Sequence, residues 1–362
     1  KFRTIDGKKY AFDEDGKMLY GWVNEDDSTL ASDDSDWETA TYYMGSWEDG
    51  SMKTGWQKIT VHDSDNDKDD DYDYWFNFKS NGKKRVQLES DNTTENKDAT
   101  WKNNGKYYHF DTRGVMVYEW YPTENTTSNL HSASNWSYFN SPEDGAKVVK
   151  GWFKVVAAEY LNYDKFNDDE DAWYYADGSG KLYAGEFKTI KGKKYAFRND
   201  GRMINGLKFI KEGTNDFEGV IADDDDNHSF DNEDDFLAQA STYFEGEGYK
   251  CYYFGGGEDG AMKTGWQRIS VWDDAEDDDM DYWFFFQTNG KRFAKLSTTG
   301  SEYRTKKVNG KTYAFDERGV MVSEWAIASV ASANTSTASN WGYFNSPEDG
   351  ARMTKGWFKV VP

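Results

Sequence analysis

The strongest constraint on this chain is a short aromatic motif that recurs from one end to the other. In one clear copy, aromatic residues beginning at Tyr42 precede Asp49-Gly50, a methionine and Gly55-Trp56. Glycine takes the positive φ that tight turns need, so Asp-Gly between strand-forming runs predicts a β-hairpin that turns at this dipeptide. An isolated hairpin is marginal in water, so we expect the copies to bury their rings against one another.

This motif is nested inside a longer duplication. Residues 7–12 reappear at 192–197, and residues 136–145 reappear nearly letter for letter at 341–350. The duplication predicts a first block, residues 1–186, of about six hairpins, and a second, residues 187–362, of about five, truncated before its sixth. Because the chain opens and closes within the pattern, we expect it to be a piece of a longer array. Tandem units of this size predict an all-β solenoid of stacked β-hairpin repeats.

The composition favours many small aromatic cores over one large aliphatic core. Aromatic residues make up 18% of the chain, close to half of the 37% that is hydrophobic. Strand alternation places Tyr10 and Phe12 on one face and Ala11 on the other, so the rings are predicted to line an inner spine. Between hairpins lie long acidic loop insertions, among them residues 60–73 and 212–248, which we expect to leave one edge of the solenoid.

The charge balance excludes two classes of partner. The chain has 66 acidic and 43 basic residues, a formal net charge of −23. Nucleic acid and anionic membranes both need a basic face, so neither is a predicted partner. Nothing approaches the roughly 18 apolar residues of a membrane span, so no membrane insertion is predicted. The single cysteine, Cys251, excludes an intrachain disulfide.

The order of aromatic pair, Asp-Gly, methionine and Gly-Trp resembles the cell-wall-binding repeats of Gram-positive bacteria. These include choline-binding modules, the glucan-binding repeats of glucansucrases and the repetitive C-terminal domains of clostridial toxins. The resemblance covers most of the chain. It implies a left-handed solenoid of β-hairpins and a non-catalytic binding role. It further implies a secreted or cell-surface protein, associated with the cell wall, that binds polysaccharide or choline.

The resemblance also implies where a ligand would bind. In choline-binding members, the tryptophan of one Gly-Trp tail and aromatics of the next hairpin enclose a quaternary ammonium through cation–π attraction. In glucan-binding members, similar platforms stack on sugar faces. Each ring can instead belong to the core, since every hairpin must bury its rings. The candidate boxes are Trp56 with Trp75; Trp120 with Trp136 and Tyr138; Trp152 with Trp173 and Tyr175; Trp266 with Trp283; and Trp325 with Trp341 and Tyr343.

The chain departs from the choline-type pattern in its insertions. Simple choline-type repeats leave a short segment between Gly-Trp and the next aromatic pair, whereas most of these segments here are long and acidic. The insertions therefore support an alternative, a structural or adhesive array whose acidic loops bind a protein partner.

One insertion carries a pattern that suits calcium. Asp63, Asp65, Asp67 and Asp69 alternate with other residues, but the run lacks the glycine and glutamate of a calcium loop. A solvated acidic loop is the preferred interpretation. The four histidines show no ligand spacing, and no carboxylate pair has a recognisable enzyme context. No other metal site, no cofactor and no catalytic activity are predicted.

Overall fold

The computed structural model of the chain describes residues 1–26, 29–32, 37–64, 68–87, 100–122, 132–158, 161, 171–211, 220–221, 236–240, 249–296, 302–328 and 335–361. Their regular structure is β except for one helical turn, α1 (Phe236–Gln239), and two short 3-10 turns, Ala133–Asn135 and Ala338–Asn340. The strands of the described residues form eleven small antiparallel sheets. The predicted all-β class built from hairpin repeats is confirmed. The left-handed winding stays a prediction.

Thirteen strands lie in the first half of the chain. They are β1 (Phe2–Ile5), β2 (Lys8–Ala11), β3 (Trp22–Asp26), β4 (Thr29–Ser32), β5 (Tyr42–Tyr43), β6 (Gly55–Asp63), β7 (Asp70–Phe78), β8 (Trp101–Asn103), β9 (Lys106–Tyr108), β10 (Glu119–Pro122), β11 (Trp136–Phe139), β12 (Gly151–Val156) and β13 (Asp171–Ala176).

Eleven strands follow. They are β14 (Glu186–Ile190), β15 (Lys193–Phe197), β16 (Leu207–Lys211), β17 (Val220–Ile221), β18 (Tyr249–Tyr253), β19 (Gly265–Asp273), β20 (Asp278–Phe286), β21 (Arg304–Val308), β22 (Lys311–Phe315), β23 (Glu324–Ile327) and β24 (Trp341–Phe344). Neighbouring strands pair in chain order, except that β3 lies between β4 and β5, and β16 lies between β17 and β18. We number the sheets hairpins 1 to 11 in chain order.

Where a hairpin begins at a Gly-Trp dipeptide, its main ladder lies on the opposite side of that dipeptide from the one predicted. Strand β6 begins at Gly55 and pairs over nine residues with β7, the aromatic strand that follows it. The Asp-Gly turn closes only an isolated bridge, such as Phe12 with Met18. The predicted pairing across that turn is therefore present as a single bridge, while the longer ladder forms after the turn. The reason is Gly55 itself, whose φ of 71° interrupts the strand and directs Trp56 into a new hairpin.

The acidic insertion at residues 60–73 consequently lies within one hairpin and not between two. Residues 64–69 join β6 to β7. Most of residues 212–248 lies outside the described residues, so the protein-partner alternative stays a prediction.

Backbone hydrogen bonds join consecutive hairpins. The amide two residues after the glycine of a turn donates to a carbonyl of the preceding hairpin in several copies: Met52 to Lys9, and Met116 to Trp75, both at 2.8 Å. In the second half of the chain, Met262 donates to Lys194 at the same distance. These bonds satisfy polar groups that would otherwise lie at a free strand edge.

Both faces of a hairpin are buried. Ala196 and Phe197 lie on opposite faces of β15, and both are 0% exposed. Ala314 and Phe315 of β22 show the same pattern. The expected single inner spine of rings is therefore wrong, because each hairpin is packed between two neighbours. Small clusters result, such as Trp22, Trp37, Ile59, Val61, Tyr74, Phe76 and Phe78.

The chain divides into two compact units. The first comprises residues 1–152, 158–166 and 175–182, and the second comprises residues 153–157, 167–174 and 183–362. This division into two units is based on how compactly the residues pack in space. The two repeat blocks that meet at residue 186 follow sequence similarity, and they stay a prediction. Within the described ranges, no helix has both the length and the apolarity needed to cross a membrane.

Candidate ligand-binding site

The long hairpin 3 presents two tryptophans on one face. Trp56 lies opposite Asn77, and Lys58 lies opposite Trp75, so all four share a face. The other face carries Phe76 and belongs to the core. The rings of Trp56 and Trp75 are 6.1 Å apart and perpendicular. The structure therefore brings the predicted pair together, but within one hairpin rather than between two.

Hairpin 4 completes this aromatic group. The ring of Trp56 lies 5.0 Å from Tyr108 and 5.5 Å from Trp101. All of these rings are half-buried. Neither Tyr108 nor Trp101 was among the aromatic residues predicted from the sequence to form a binding box. Tyr108 could have been found, because it stands in the next aromatic strand, whereas Trp101 lies before that strand and outside the repeated motif.

The second half of the chain repeats the arrangement around Trp266. Its ring lies 6.2 Å from Trp283 at an angle of 88°, which again brings a predicted pair together. Tyr313 of hairpin 10 lies 4.7 Å from Trp266 and takes the place of Tyr108. We call the two aromatic groups the Trp56 gap and the Trp266 gap.

The two gaps differ by an exchange of an aromatic residue and a cation. In the Trp56 gap, the Arg85 guanidinium carbon lies 4.7 Å from the ring centre of Trp101. In the Trp266 gap, Phe293 stands at the position of Arg85 and Lys306 at that of Trp101, with the ammonium 4.8 Å from the phenyl centre. Each gap thus contains a cation–π contact made by the chain itself.

Two further predicted boxes are also pairs within single hairpins. Trp120 lies 6.5 Å from Trp136 and 5.2 Å from Tyr138, and Trp136 is buried. Trp325 lies 5.1 Å from Tyr343. The indole nitrogen of Trp341 donates to the carbonyl of Thr335 at 2.9 Å.

The last predicted box contains residues of both compact units. Trp152 and Tyr175 belong to the first unit, where their rings are 5.0 Å apart. Trp173 belongs to the second unit, where its side chain is one of the groups that lower the pKa of Glu258.

A lysine and a glutamate flank Trp75, and neither was predicted. Lys58 donates to Glu143 Oε1 at 2.9 Å, and the indole nitrogen of Trp75 donates to Oε2 at 3.2 Å. Glu143 belongs to the Asp-Gly turn of hairpin 5. The hydrogen bond from Lys58, and then that from Trp75, lowers the pKa of Glu143. The recurrence of Glu-Asp-Gly at 143–145 and 258–260 is the sequence feature that could have indicated a role for this glutamate.

The structure describes two of the four calcium candidates, and their surroundings differ. Asp63 is 0% exposed and accepts hydrogen bonds from Tyr74 at 2.6 Å and Arg113 at 3.1 Å, so its expected place in a solvated loop is wrong. Asp69 lies 3.2 Å from His62, while residues 65 and 67 lie outside the described residues. Among the described residues, no group of three or more His, Cys, Asp or Glu is suited to holding a metal.

The fold of the described hairpins is similar to that of solved choline-binding repeat proteins. The structure aligns with CbpJ from Streptococcus pneumoniae at a TM-score of 0.50 and 19% identity, over 98% of this chain and 94% of that one. It aligns with CbpF, solved in complex with ipratropium, at a TM-score of 0.50 and 18% identity, over 98% and 93% of the two chains. The predicted resemblance is confirmed at the level of fold.

One relative is detectable from sequence. Glucosyltransferase-S of Streptococcus mutans is 28% identical over 232 residues, which cover 56% of this chain. The match spans only 14% of the length of that relative. No protein-family model matches the chain.

Proposed function

We propose that the chain is a non-catalytic binding module of a secreted or cell-surface bacterial protein. It binds cell-wall or other polysaccharide, or choline-type groups, through its aromatic gaps. The observation that carries this proposal is the Trp56 gap, where half-buried rings of two consecutive hairpins surround one tryptophan. Such rings offer flat apolar faces to sugars and electron-rich faces to cations. Repetition around Trp266 adds avidity.

The chemistry beside the Trp56 gap supports binding rather than catalysis. Glu143 has a lowered pKa because Lys58 and Trp75 donate to it. A general acid near neutral pH needs a raised pKa, so Glu143 is suited to accepting hydrogen bonds. The structural neighbour CbpF is named as a choline-binding protein, and the relative by sequence is named as a glucosyltransferase.

Retention on solid ligands tests the proposal. The full chain should be retained on bacterial cell walls, insoluble glucan or immobilised choline. Replacing Trp56 and Trp266 together by alanine should weaken binding about tenfold or more, as for anchor residues at interfaces. Trp47→Ala is the matched control, because Trp47 is 67% exposed on a turn. Failure of the unmodified chain to bind any of the three supports would refute the proposal.

A further inference from the structure

We propose that Lys58, Trp75 and Glu143 form a subsite for an uncharged sugar unit that discriminates against quaternary ammonium groups. A second copy of this subsite lies in the second compact unit. The inference rests on the proposed function and names the ligand class that one part of the binding surface accepts.

The subsite is accessible and fixed in shape. The side chains of Lys58 and Glu143 are 37% and 68% exposed, so a ligand can reach both. Trp75 is half-buried and faces Lys58 across the β6–β7 ladder. Its indole hydrogen bond to Glu143 fixes the orientation of the ring. A platform that is already ordered loses little conformational entropy when a ligand binds.

The polar groups retain hydrogen-bonding capacity for hydroxyl groups. A carboxylate has about four acceptor positions and an ammonium has three donors. Glu143 receives one bond from Lys58 on one oxygen and one from Trp75 on the other. Sugar hydroxyls both donate and accept, so they can add to this network without breaking it. The apolar face of a pyranose matches the face of an indole ring.

The ammonium of Lys58 opposes a cationic ligand beside Trp75. The hydrogen bond to Glu143 raises the pKa of Lys58, so its ammonium stays charged beside Trp75. A quaternary ammonium carries no N–H and cannot replace the bond that Lys58 gives to Glu143. It would either displace Lys58 and leave that carboxylate without this donor, or lie beside a like charge. An uncharged sugar neither removes the hydrogen bond of Glu143 nor brings a second positive charge beside Lys58.

The same three residue types recur in the second compact unit. Lys154 donates to Glu258 Oε1 at 2.5 Å, and Lys154, followed by the Trp173 side chain, lowers the pKa of Glu258. The side chains of Lys154 and Glu258 are 35% and 63% exposed, close to the values of the first copy. In both copies, lysine and tryptophan come from one hairpin, and glutamate comes from the turn of the second hairpin beyond it. The glutamates recur although the residues before them differ, being Ser-Pro at 141–142 in the first copy and Gly-Gly at 256–257 in the second.

A glycan array that includes phosphocholine, probed with the full chain, identifies the bound ligand class. Binding to neutral oligosaccharides is the expected result. Their affinities are then measured by calorimetry for two double variants, Trp75→Ala with Trp173→Ala, and Lys58→Met with Lys154→Met. We expect a loss of about tenfold or more for the first. The second should weaken sugar binding and gain retention on immobilised choline.

Two controls separate binding from folding. Trp75→Phe with Trp173→Phe keeps the flat rings but removes the indole donors, so its loss should be smaller than that of the alanine variant. Lys106→Met removes an exposed ion pair of 3.1 Å with Asp144, the neighbour of Glu143, and should leave sugar binding unchanged. Near-UV circular dichroism and the urea midpoint of every variant report on folding.

The outcomes distinguish this inference from the proposed function. Binding only to phosphocholine or charged glycans overturns the inference and leaves the proposed function standing. The inference is also overturned if the folded variant Trp75→Ala with Trp173→Ala binds neutral sugars with unchanged affinity. Absence of binding on the array, on cell walls and on immobilised choline overturns both.

Discussion

A Cβ atom added to Gly82 would lie 2.2 Å from the Sδ atom of Met52. Met52 follows the turn of hairpin 2, and Gly82 lies in the turn of hairpin 3. The relationship recurs between consecutive hairpins at Gly50 with Met18, Gly145 with Met116, Gly260 with Met203, Gly290 with Met262 and Gly350 with Met321. The methionine of the motif therefore packs on the glycine of the next turn. This contact explains why the two residues recur together.

The Met52 contact makes Gly82→Ala more destabilising than an alanine in an open turn. Gly105 is the matched control, because its φ of 82° resembles the 86° of Gly82 but nothing lies within 4 Å of an added Cβ. Gly105→Ala should cost about 1 kcal/mol from its left-handed backbone. Gly82→Ala should cost about 2 kcal/mol more, because Met52 must move. Urea unfolding of the full chain measures both, and equal costs would contradict the packing role.

The buried pair of Asp63 and Arg113 predicts a large effect of removing the arginine. Arg113→Met should lower the free energy of unfolding by about 3 kcal/mol, because the carboxylate of Asp63 loses its guanidinium in a buried site. Arg268→Met is the control, because its pair with Asp281 is about half exposed, and it should cost less than about 0.5 kcal/mol. Adding Asp63→Asn to Arg113→Met should restore part of the loss. Similar urea midpoints for the two single variants would refute the prediction.

Lys84 carries a titratable group in the core. It is 6% exposed, its ammonium lies 5.3 Å from the ring centre of Trp22, and it donates to the carbonyl oxygens of Trp37 and Glu38. Burial lowers the pKa of Lys84 from 10.5 to about 7. The corresponding residue in the second half of the chain is Arg292, which stays charged.

This pKa predicts stability that rises with pH from about 7 towards 10.5. In that window the unfolded chain holds a proton on Lys84 and the folded chain does not, so raising the pH favours the folded state. Below pH 7 both states are protonated and the cost of burying the charge is fully present. The rise should be followed by urea unfolding up to pH 9.5, before the tyrosines titrate. Lys84→Met should flatten it, and an unchanged slope in that variant would exclude Lys84 as its source.

The exchanged pairs of the two gaps predict a favourable coupling. Trp101→Lys alone places an ammonium beside Arg85 and should destabilise the chain by about 1 kcal/mol. Adding Arg85→Phe recreates the arrangement of Phe293 and Lys306 and should recover most of that loss through a cation–π contact. A double-mutant cycle by urea unfolding measures the coupling. Strictly additive effects would show that the two positions act independently.

The sequence was most informative where structure depends on neighbours along the chain. Asp-Gly turns, aromatic strands and their alternation depend on local backbone preferences, so the hairpin repeats could be predicted. The ring pairs were implied by the resemblance to cell-wall-binding repeats. The pairing of Gly55 with Phe78 could not be predicted. It depends on where a strand is interrupted, and the same residues allow a ladder on either side of the glycine.

By itself, then, the sequence determined an all-β chain of aromatic hairpin repeats, because turn chemistry and ring burial act within each repeat. Only the tertiary structure decided that Trp101 and Tyr108 surround Trp56. It also decided that Glu143 reaches Lys58 and Trp75 from two hairpins away. Such contacts depend on how each hairpin stacks on the next, and that geometry comes from packing and backbone hydrogen bonds between repeats rather than from the pattern inside any one of them.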